Sequence, residues 1–281
     1  MMIAFWSLNR RTGTTASLLA VSSAIAMKLK RSCLLTQTYI RQDDLESIFT
    51  KGMTDEEFES VTREMGTDSL IRQFKAGKLD GEAVFNCSVE VIKNLSYLPA
   101  SRKTLGMMTD ENARNNIMRR ILSASEERFD VAAVDIGAGR EEEDMDILNS
   151  SDMVVVVCEQ GKRNLEKYLD KALKMGIPEN KLFFVLAKYL TGSKYSISNL
   201  RHFYENIGID SIGAVPASSS YLDAIEDQKP MTFLQCFDRD AEFVSDPQFY
   251  AETVRCGRKL IEKAGKNARK RYLGRINGDN E

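Results

Sequence analysis

Met2-Ile3-Ala4-Phe5-Trp6-Ser7, followed by Leu8-Asn9-Arg10-Arg11-Thr12-Gly13-Thr14-Thr15, is the stretch that decides how this chain folds. Its largely apolar first half predicts a buried strand, and the turn after it ends in Gly-Thr-Thr. Leu18, Val21, Ile25 and Leu29 then recur at helical spacing, so a helix starts where the turn stops. A strand, a tight loop and a helix N-terminus in succession make an anion cradle. The first N–H groups of the helix lack partners within it, and the helix dipole is positive at that end. The wording of the loop departs from the phosphate-binding pattern G-x-x-x-x-G-K-[ST]. Leu8 stands at the first glycine, Gly13 at the second, Thr14 at the lysine and Thr15 at the hydroxyl. The turn and the hydroxyl are kept; the charge is gone.

Working outward, six further apolar runs read as strands: Ser32 to Thr36, Asn94 to Pro99, Phe129 to Asp135, Met153 to Cys158, Lys181 to Leu186 and Ile212 to Pro216. Residues 41 to 94 are polar and helix-patterned. Thr54-Asp55-Glu56-Glu57 and Thr67-Asp68-Ser69-Leu70 read as capped helix starts, and Thr109-Asp110-Glu111 opens a helix through Ile117, Ile121 and Leu122. Helices follow at about Asn164 to Met175 and Ser196 to Asn206. Apolar strands alternating with helices predict an α/β fold: a doubly wound, mostly parallel sheet of about seven strands with helices on both faces. Ligands in such sheets sit at the carboxyl ends of the strands. Those ends carry Leu8 to Thr15, Thr36 to Thr38, Asp135 to Gly139, and Ala187-Lys188.

The predicted organisation is one domain over residues 1–240 and a basic helix with its tail over 241–281. Asp246-Pro247 supplies a cap and a first-turn proline. Tyr250, Val254, Gly257, Ile261, Ala264 and Ala268 form one stripe, while Arg255, Arg258, Lys259, Lys263, Lys266, Arg269, Lys270 and Arg271 crowd the other faces. The stripe is mostly small and lacks the Leu, Phe or Trp bulk that anchors a helix in a membrane surface, so docking on the core is the expectation. A weak membrane or DNA contact through the basic face is the alternative.

Composition narrows the class further. The 281 residues carry a formal net charge of −2, so no global basic field points to nucleic acid. Five widely spaced cysteines without C-x-x-C spacing argue against a zinc or iron–sulfur centre and fit a reduced compartment. With no basic-then-apolar leader and no run of about 18 apolar residues, the expectation is a cytoplasmic protein, peripheral at most to the inner face of a membrane. His202, the only histidine, has no nucleophile and acid around which a triad can be built.

With the strand ends placed, the sequence resembles the MinD/ParA family of deviant P-loop ATPases over residues 1 to 235. Ser7 to Thr15 matches that family's S-G-K-G-G-V-G-K-T without gaps, and Asp135-Ile136-Gly137-Ala138-Gly139 resembles its D-x-P-A-G element. Ser151-Asp152-Met153-Val154-Val155 is similar to its A-D-x-V-x strand entry. Gly213-Ala214-Val215-Pro216, with Ala224-Ile225 and Lys229-Pro230 after it, is similar to its G-x-I-P segment.

The resemblance implies a homodimer and a nucleotide site built from Asn9, Arg10, Arg11, Gly13, Thr14, Thr15, Asp135 and Gly139, with Thr15 and Asp135 on Mg²⁺ where nucleotide binds. It also shows what is missing. The signature lysine falls on Asn9, the P-loop lysine on Thr14, and the Gly-Gly pair on Arg10-Arg11. The strand-end aspartates fall on Thr36 and Thr38, and the adenine-side asparagine on Ala187. Phosphoryl transfer depends on positioning and charge stabilisation. Losing one partner of a buried ion pair costs about 3–5 kcal/mol, and here two lysines are absent. The expectation is a vestigial site and a pseudo-ATPase without cofactor.

Within the family, Gly66-Thr67-Asp68-Ser69-Leu70 through Asn94-Leu95-Ser96-Tyr97-Leu98-Pro99 resembles the TadZ/CpaE group of Flp/Tad-type pilus assembly. The receiver-like domain usual in that group is expected to be lacking, since the sequence starts at the ATPase-like strand. The implied function is a scaffold or localisation factor whose partner is a secretion or pilus-assembly ATPase or a membrane-complex protein. The alternative is a working ATPase of the partition or positioning type, with Arg10 or Arg11 replacing a lysine, ATP and Mg²⁺ as cofactors, and Gly139 sensing the γ-phosphate. A third reading is a DNA-associated partition factor acting through the basic helix.

Overall fold

The computed structural model describes residues 1–38, 45–49, 54, 56–57, 64–100, 111–138, 144–203 and 211–278. Its centre is β1 (Met2–Ser7), buried along its whole length. Alternation along this strand divides the core: Met2, Ala4 and Trp6 enter one apolar cluster, Ile3 and Phe5 the other. The remaining strands are β2 (Cys33–Gln37), β3 (Val89–Ile92), β4 (Leu95–Tyr97), β5 (Val131–Ala138), β6 (Met153–Glu159), β7 (Leu182–Tyr189) and β8 (Ile212–Pro216). They form one sheet in the order β3-β4-β2-β5-β1-β6-β7-β8. Every pairing is parallel except β3 with β4. The doubly wound, mostly parallel α/β sheet expected from the sequence is the one observed, with an eighth strand added.

That strand, β3, lies in the stretch expected to be helical. Ser88-Val89-Glu90-Val91 alternates polar and apolar residues before Ile92, and Asn94 at φ 62° turns the chain back into β4. Before β3, Thr67–Lys75 and Gly81–Asn86 are helical, as expected. An edge strand needs only half-burial, and Val89 and Glu90 are exposed.

The helices sort by face. Thr67–Lys75, Gly81–Asn86, Glu111–Ser125, Met145–Ser150 and Lys162–Lys174 cover the Trp6 side. The first helix (Thr14–Met27), Ser219–Glu226 and Pro230–Leu234 cover the Phe5 side together with the long C-terminal helix, Pro247–Gly278. That last helix is capped by Asp246, whose Oδ1 accepts from Phe249 N at 3.0 Å. Phe249, Tyr250, Cys256, Leu260 and Ala264 bury it in the core beside β8 and the first helix. Its far end is held by charge. Arg271 Nε lies 3.1 Å from Asp152 Oδ1, and its Nη2 lies 2.5 Å from Glu126 Oε1. No helix among the described residues is long and apolar enough to cross a membrane.

Two helix starts test the capping arguments in opposite ways. Thr54 and Glu57 exchange reciprocal bonds, Thr54 N to Glu57 Oε2 at 2.8 Å and Glu57 N to Thr54 Oγ1 at 3.2 Å. Thr67 does not cap its helix. Gly66 takes that position at φ 84°, where a Cβ would press on Pro99 O, and Thr67 N donates to the same carbonyl at 2.9 Å. Tertiary packing against Pro99 overrides the local preference.

Candidate functional site

The loop after β1 is held by short bonds of its own. Thr12 Oγ1 donates to Asn9 O at 2.7 Å, and Ser7 Oγ donates to the same carbonyl at 3.2 Å. Ser7 Oγ also lies 3.2 Å from Tyr168 OH, on the helix behind the loop. These contacts leave Asn9, Arg10 and Arg11 exposed at the tip. Gly13 then turns the chain into the helix at φ 96°, ψ 31°, a conformation strained for a side-chain-bearing residue. The first helical bond runs from Ser17 N to Gly13 O at 2.8 Å. Among the described residues no acceptor meets the N–H groups of Gly13, Thr14, Thr15 and Ala16.

Thr15 reaches the end of β5: its Oγ1 donates to Asp135 Oδ2 at 2.6 Å. Asp135 is fully buried, and its backbone carbonyl takes Thr38 N at 3.1 Å. At the end of β2, Thr36 Oγ1 donates to Leu98 O at 3.3 Å. One residue beyond the strand, Thr38 Oγ1 donates to the buried Asp144 Oδ2 at 2.8 Å. The two positions where the family resemblance expects aspartates therefore hold hydroxyls committed to structural bonds. Gly139 and the side chain of His202 lie outside the described residues.

These elements form one wall of a cleft of about 1030 Å³ at the carboxyl ends of the strands. The wall carries Asn9, Arg10, Arg11, Gly13, Thr14 and Thr15, so seven of the eight residues expected at the site are described and six line the cleft. The seventh, Asp135, lies beneath through Thr15. The opposite wall is Ala187 and Lys188 from β7, Val215 and Pro216 from β8, and the Ser219–Glu226 helix. Tyr221 on that helix is buried and donates from its OH to Ala16 O at 2.8 Å, tying the two walls together. Burial raises its phenol well above the usual range.

Two of these opposite-wall residues carry weight that the sequence did not assign. Lys188 was placed at a strand end without a role, and Tyr221 was not singled out. Among the described residues charge on the cleft surface is uneven, with Arg10, Arg11 and Lys188 set against Glu226. Beneath this surface lies a closed hydroxyl–carboxylate pair, Thr15 with Asp135.

No family model and no curated protein matches the chain. Solved structures do. The chain is similar to a ParA family ATPase from Chlorobium tepidum TLS, at 14% identity and TM-score 0.62, with 91% of this chain and 98% of that one covered. It is similar to MinD in a MinC:MinD cell division complex from Aquifex aeolicus, at 16% identity and TM-score 0.61, covering 93% and 96%. It is also similar to the septum site-determining protein MinD of Pyrococcus horikoshii OT3, complexed with Mg-ADP, at 14% identity and TM-score 0.59, covering 95% and 99%. Identities this low establish the fold alone. The chain has the MinD/ParA-type P-loop NTPase fold over nearly its whole length.

Proposed function

We propose that this chain is a non-hydrolysing protein of the MinD/ParA fold that works as a dimeric scaffold or localisation factor, in Flp/Tad-type pilus or secretion-system assembly. The observation that carries the reading is the floor of the cleft. Thr14 stands where a lysine would reach the β- and γ-phosphates, and Thr15 is bonded to Asp135 at 2.6 Å. The donor set does not fit hydrolysis of Mg·triphosphate. The N–H cradle suits a phosphate group, yet Thr14 is too short to bring charge to it, and Asn9 offers none. Thr36 and Thr38, spent on Leu98 O and Asp144, provide no carboxylate to orient an attacking water.

The electrostatic cost decides between binding and indifference. Each missing buried counter-charge removes about 3–5 kcal/mol, roughly two to four decades of affinity. Two missing lysines place a triphosphate far from micromolar binding unless other cations intervene. Arg10 and Arg11 are exposed at the loop tip and are screened there.

A scaffold of this kind keeps the sheet, the cleft walls and the docked C-terminal helix as a fixed surface. In this reading residues 1–240 form the NTPase-like domain and 241–281 a basic extension facing the cytoplasm. Two copies pair through the face bearing Asn9 to Thr15, and a pilus-assembly ATPase or a membrane-complex protein is the partner. The test is phosphate release with light scattering on the same samples. The expected outcome is no phosphate released from Mg·ATP above buffer and one scattering mass, that of a dimer, with or without nucleotide. Nucleotide-driven conversion of monomer to dimer with phosphate release sinks the scaffold reading.

A further inference from the structure

Two glycines in the C-terminal helix differ in what surrounds them. Gly257 faces the first helix, where a Cβ would lie 3.1 Å from Ile25 Cγ1, so close packing accounts for it. At Gly265, leaving aside the helix's own backbone, nothing lies within 4 Å of the place a Cβ would take. A glycine without a packing reason simply weakens a helix interior. Gly265 also marks a change in what holds the helix. Before it, Phe249, Leu260 and Ala264 are fully buried. After it no described side chain is buried, and Tyr272 and Leu273 are 66% and 58% exposed.

The contacts that hold residues 265–278 are polar and fall on one place. Asn267 Nδ2 donates to Asp152 O at 3.0 Å and to Asn180 O at 2.9 Å. Arg271 bridges two carboxylates, Glu126 after the Glu111–Ser125 helix and Asp152 just before β6. Asp152 Oδ2 is itself held by Met2 N at 2.8 Å, so this seat is a fixed part of the sheet. The sequence of the arm gives little support of its own. Residues 265–278 contain five basic residues and no acidic one, and Lys266 lies one turn from both Arg269 and Lys270. Like charges at that spacing destabilise a helix, and isolated helices shorter than about 12–15 residues are marginal in water. The arm is helical because Glu126 and Asp152 compensate its charge from outside.

We infer that residues 265–278 form an electrostatic strap, hinged at Gly265 and latched by Arg271 onto Glu126 and Asp152, which detaches and melts as a unit while residues 247–264 stay docked. The inference goes beyond the non-hydrolysing reading and does not rest on it. Ionic strength is the variable the strap responds to, because the screening length falls from about 30 Å at 0.01 M salt to about 3 Å at 1 M. Detachment frees the basic arm with Tyr272 and Leu273 and leaves two carboxylates on the body. The strap thereby sets how much basic surface the chain presents.

The test is amide hydrogen exchange of the full chain, read by mass spectrometry on peptides covering residues 249–264 and 265–278. Between about 0.01 M and 1 M NaCl, exchange in 265–278 should rise at least about threefold while 249–264 stays unchanged. Faster exchange of the arm alone describes any frayed helix end; the response to salt and to Arg271 separates a strap from fraying. Arg271→Gln should speed exchange of the arm about tenfold at low salt and remove most of its salt response. Gly265→Ala stiffens the hinge without touching the latch, and should slow exchange of the arm about two- to fivefold. One common rate along 249–278, an arm indifferent to salt, or an unchanged Arg271→Gln arm overturns the inference. Should Arg271→Gln fail to fold by circular dichroism, the wild-type salt series and Gly265→Ala decide. A Gly265→Ala arm that exchanges at the wild-type rate overturns the hinge.

Discussion

Replacing Gly213 by alanine tests how firmly the C-terminal helix is seated. Gly213 lies in β8, and a methyl group there would overlap Cys256 Sγ, with Cys256 Cβ at 3.0 Å and Cα at 3.2 Å. Because one of these atoms is backbone, a rotamer change cannot clear the contact, and the helix must move outward. Cys256 is 1% exposed and sits among buried residues, so nothing nearby yields cheaply. Overpacking of this kind costs about 1–3 kcal/mol. In a chain of this length each kcal/mol lowers Tm by roughly 2–4 °C, so Gly213→Ala should melt roughly 2 to 12 °C lower. Cys256→Ala in the same background removes the Sγ overlap and keeps the Cβ contact, so it should restore part of the loss and no more. The assay is thermal unfolding by circular dichroism for the two single variants and the double variant. A Gly213→Ala chain melting within about a degree of wild type, or strictly additive variants, would refute the close seating of helix on strand.

Three further outcomes follow from named contacts. Thr15→Val leaves the buried Asp135 without its hydroxyl donor, which should cost about 1–3 kcal/mol in urea unfolding; an unchanged midpoint would mean that the 2.6 Å bond stabilises nothing. Burial raises the Asp152 carboxyl above its usual range, opposed by the Met2 N–H and Arg271, with Glu126 pushing the same way as burial. A carboxyl whose folded value is raised binds its proton more readily in the native state, so its contribution is fully present below the unfolded value near 3.8 and is lost as pH rises through the folded one. The stability of wild type relative to Asp152→Asn should therefore grow on acidification from pH 7 towards pH 4, measured as urea midpoints; a flat difference contradicts it. Burial pushes the Cys158 and Cys256 thiols up to about 12 and Cys236 up to about 11. The folded chain should thus react slowly with a thiol reagent at pH 8, and denaturant should release all five cysteines at once.

The fold was legible because the strands bury both faces and so appear as continuous apolar runs; Met153 to Cys158 cannot be read as anything else. β3 was not, since an edge strand of Val-Glu-Val-Ile alternation is short and half-polar, and the helical pattern on both sides masks it. The site was legible in its chain order. Gly13, Thr15 and Asp135 are named by the loop pattern, and they meet because β1 and β5 are neighbours in the sheet. Lys188 was not legible. It follows an apolar strand like any exposed lysine, and only its positive φ and the register shift beside it turn the side chain over the cleft. Thr67 shows the converse, a sound local capping signal overruled by Pro99 from 32 residues away in sequence.

Calorimetry of the purified chain with Mg·ATP, with light scattering on the same samples, tests the central claim most directly. The account predicts no micromolar affinity, no gain in affinity from Mg²⁺ over EDTA, and an unchanged dimer mass. Micromolar binding that requires Mg²⁺ and assembles monomers into dimers would contradict it, and would show that the cleft still works as a nucleotide switch.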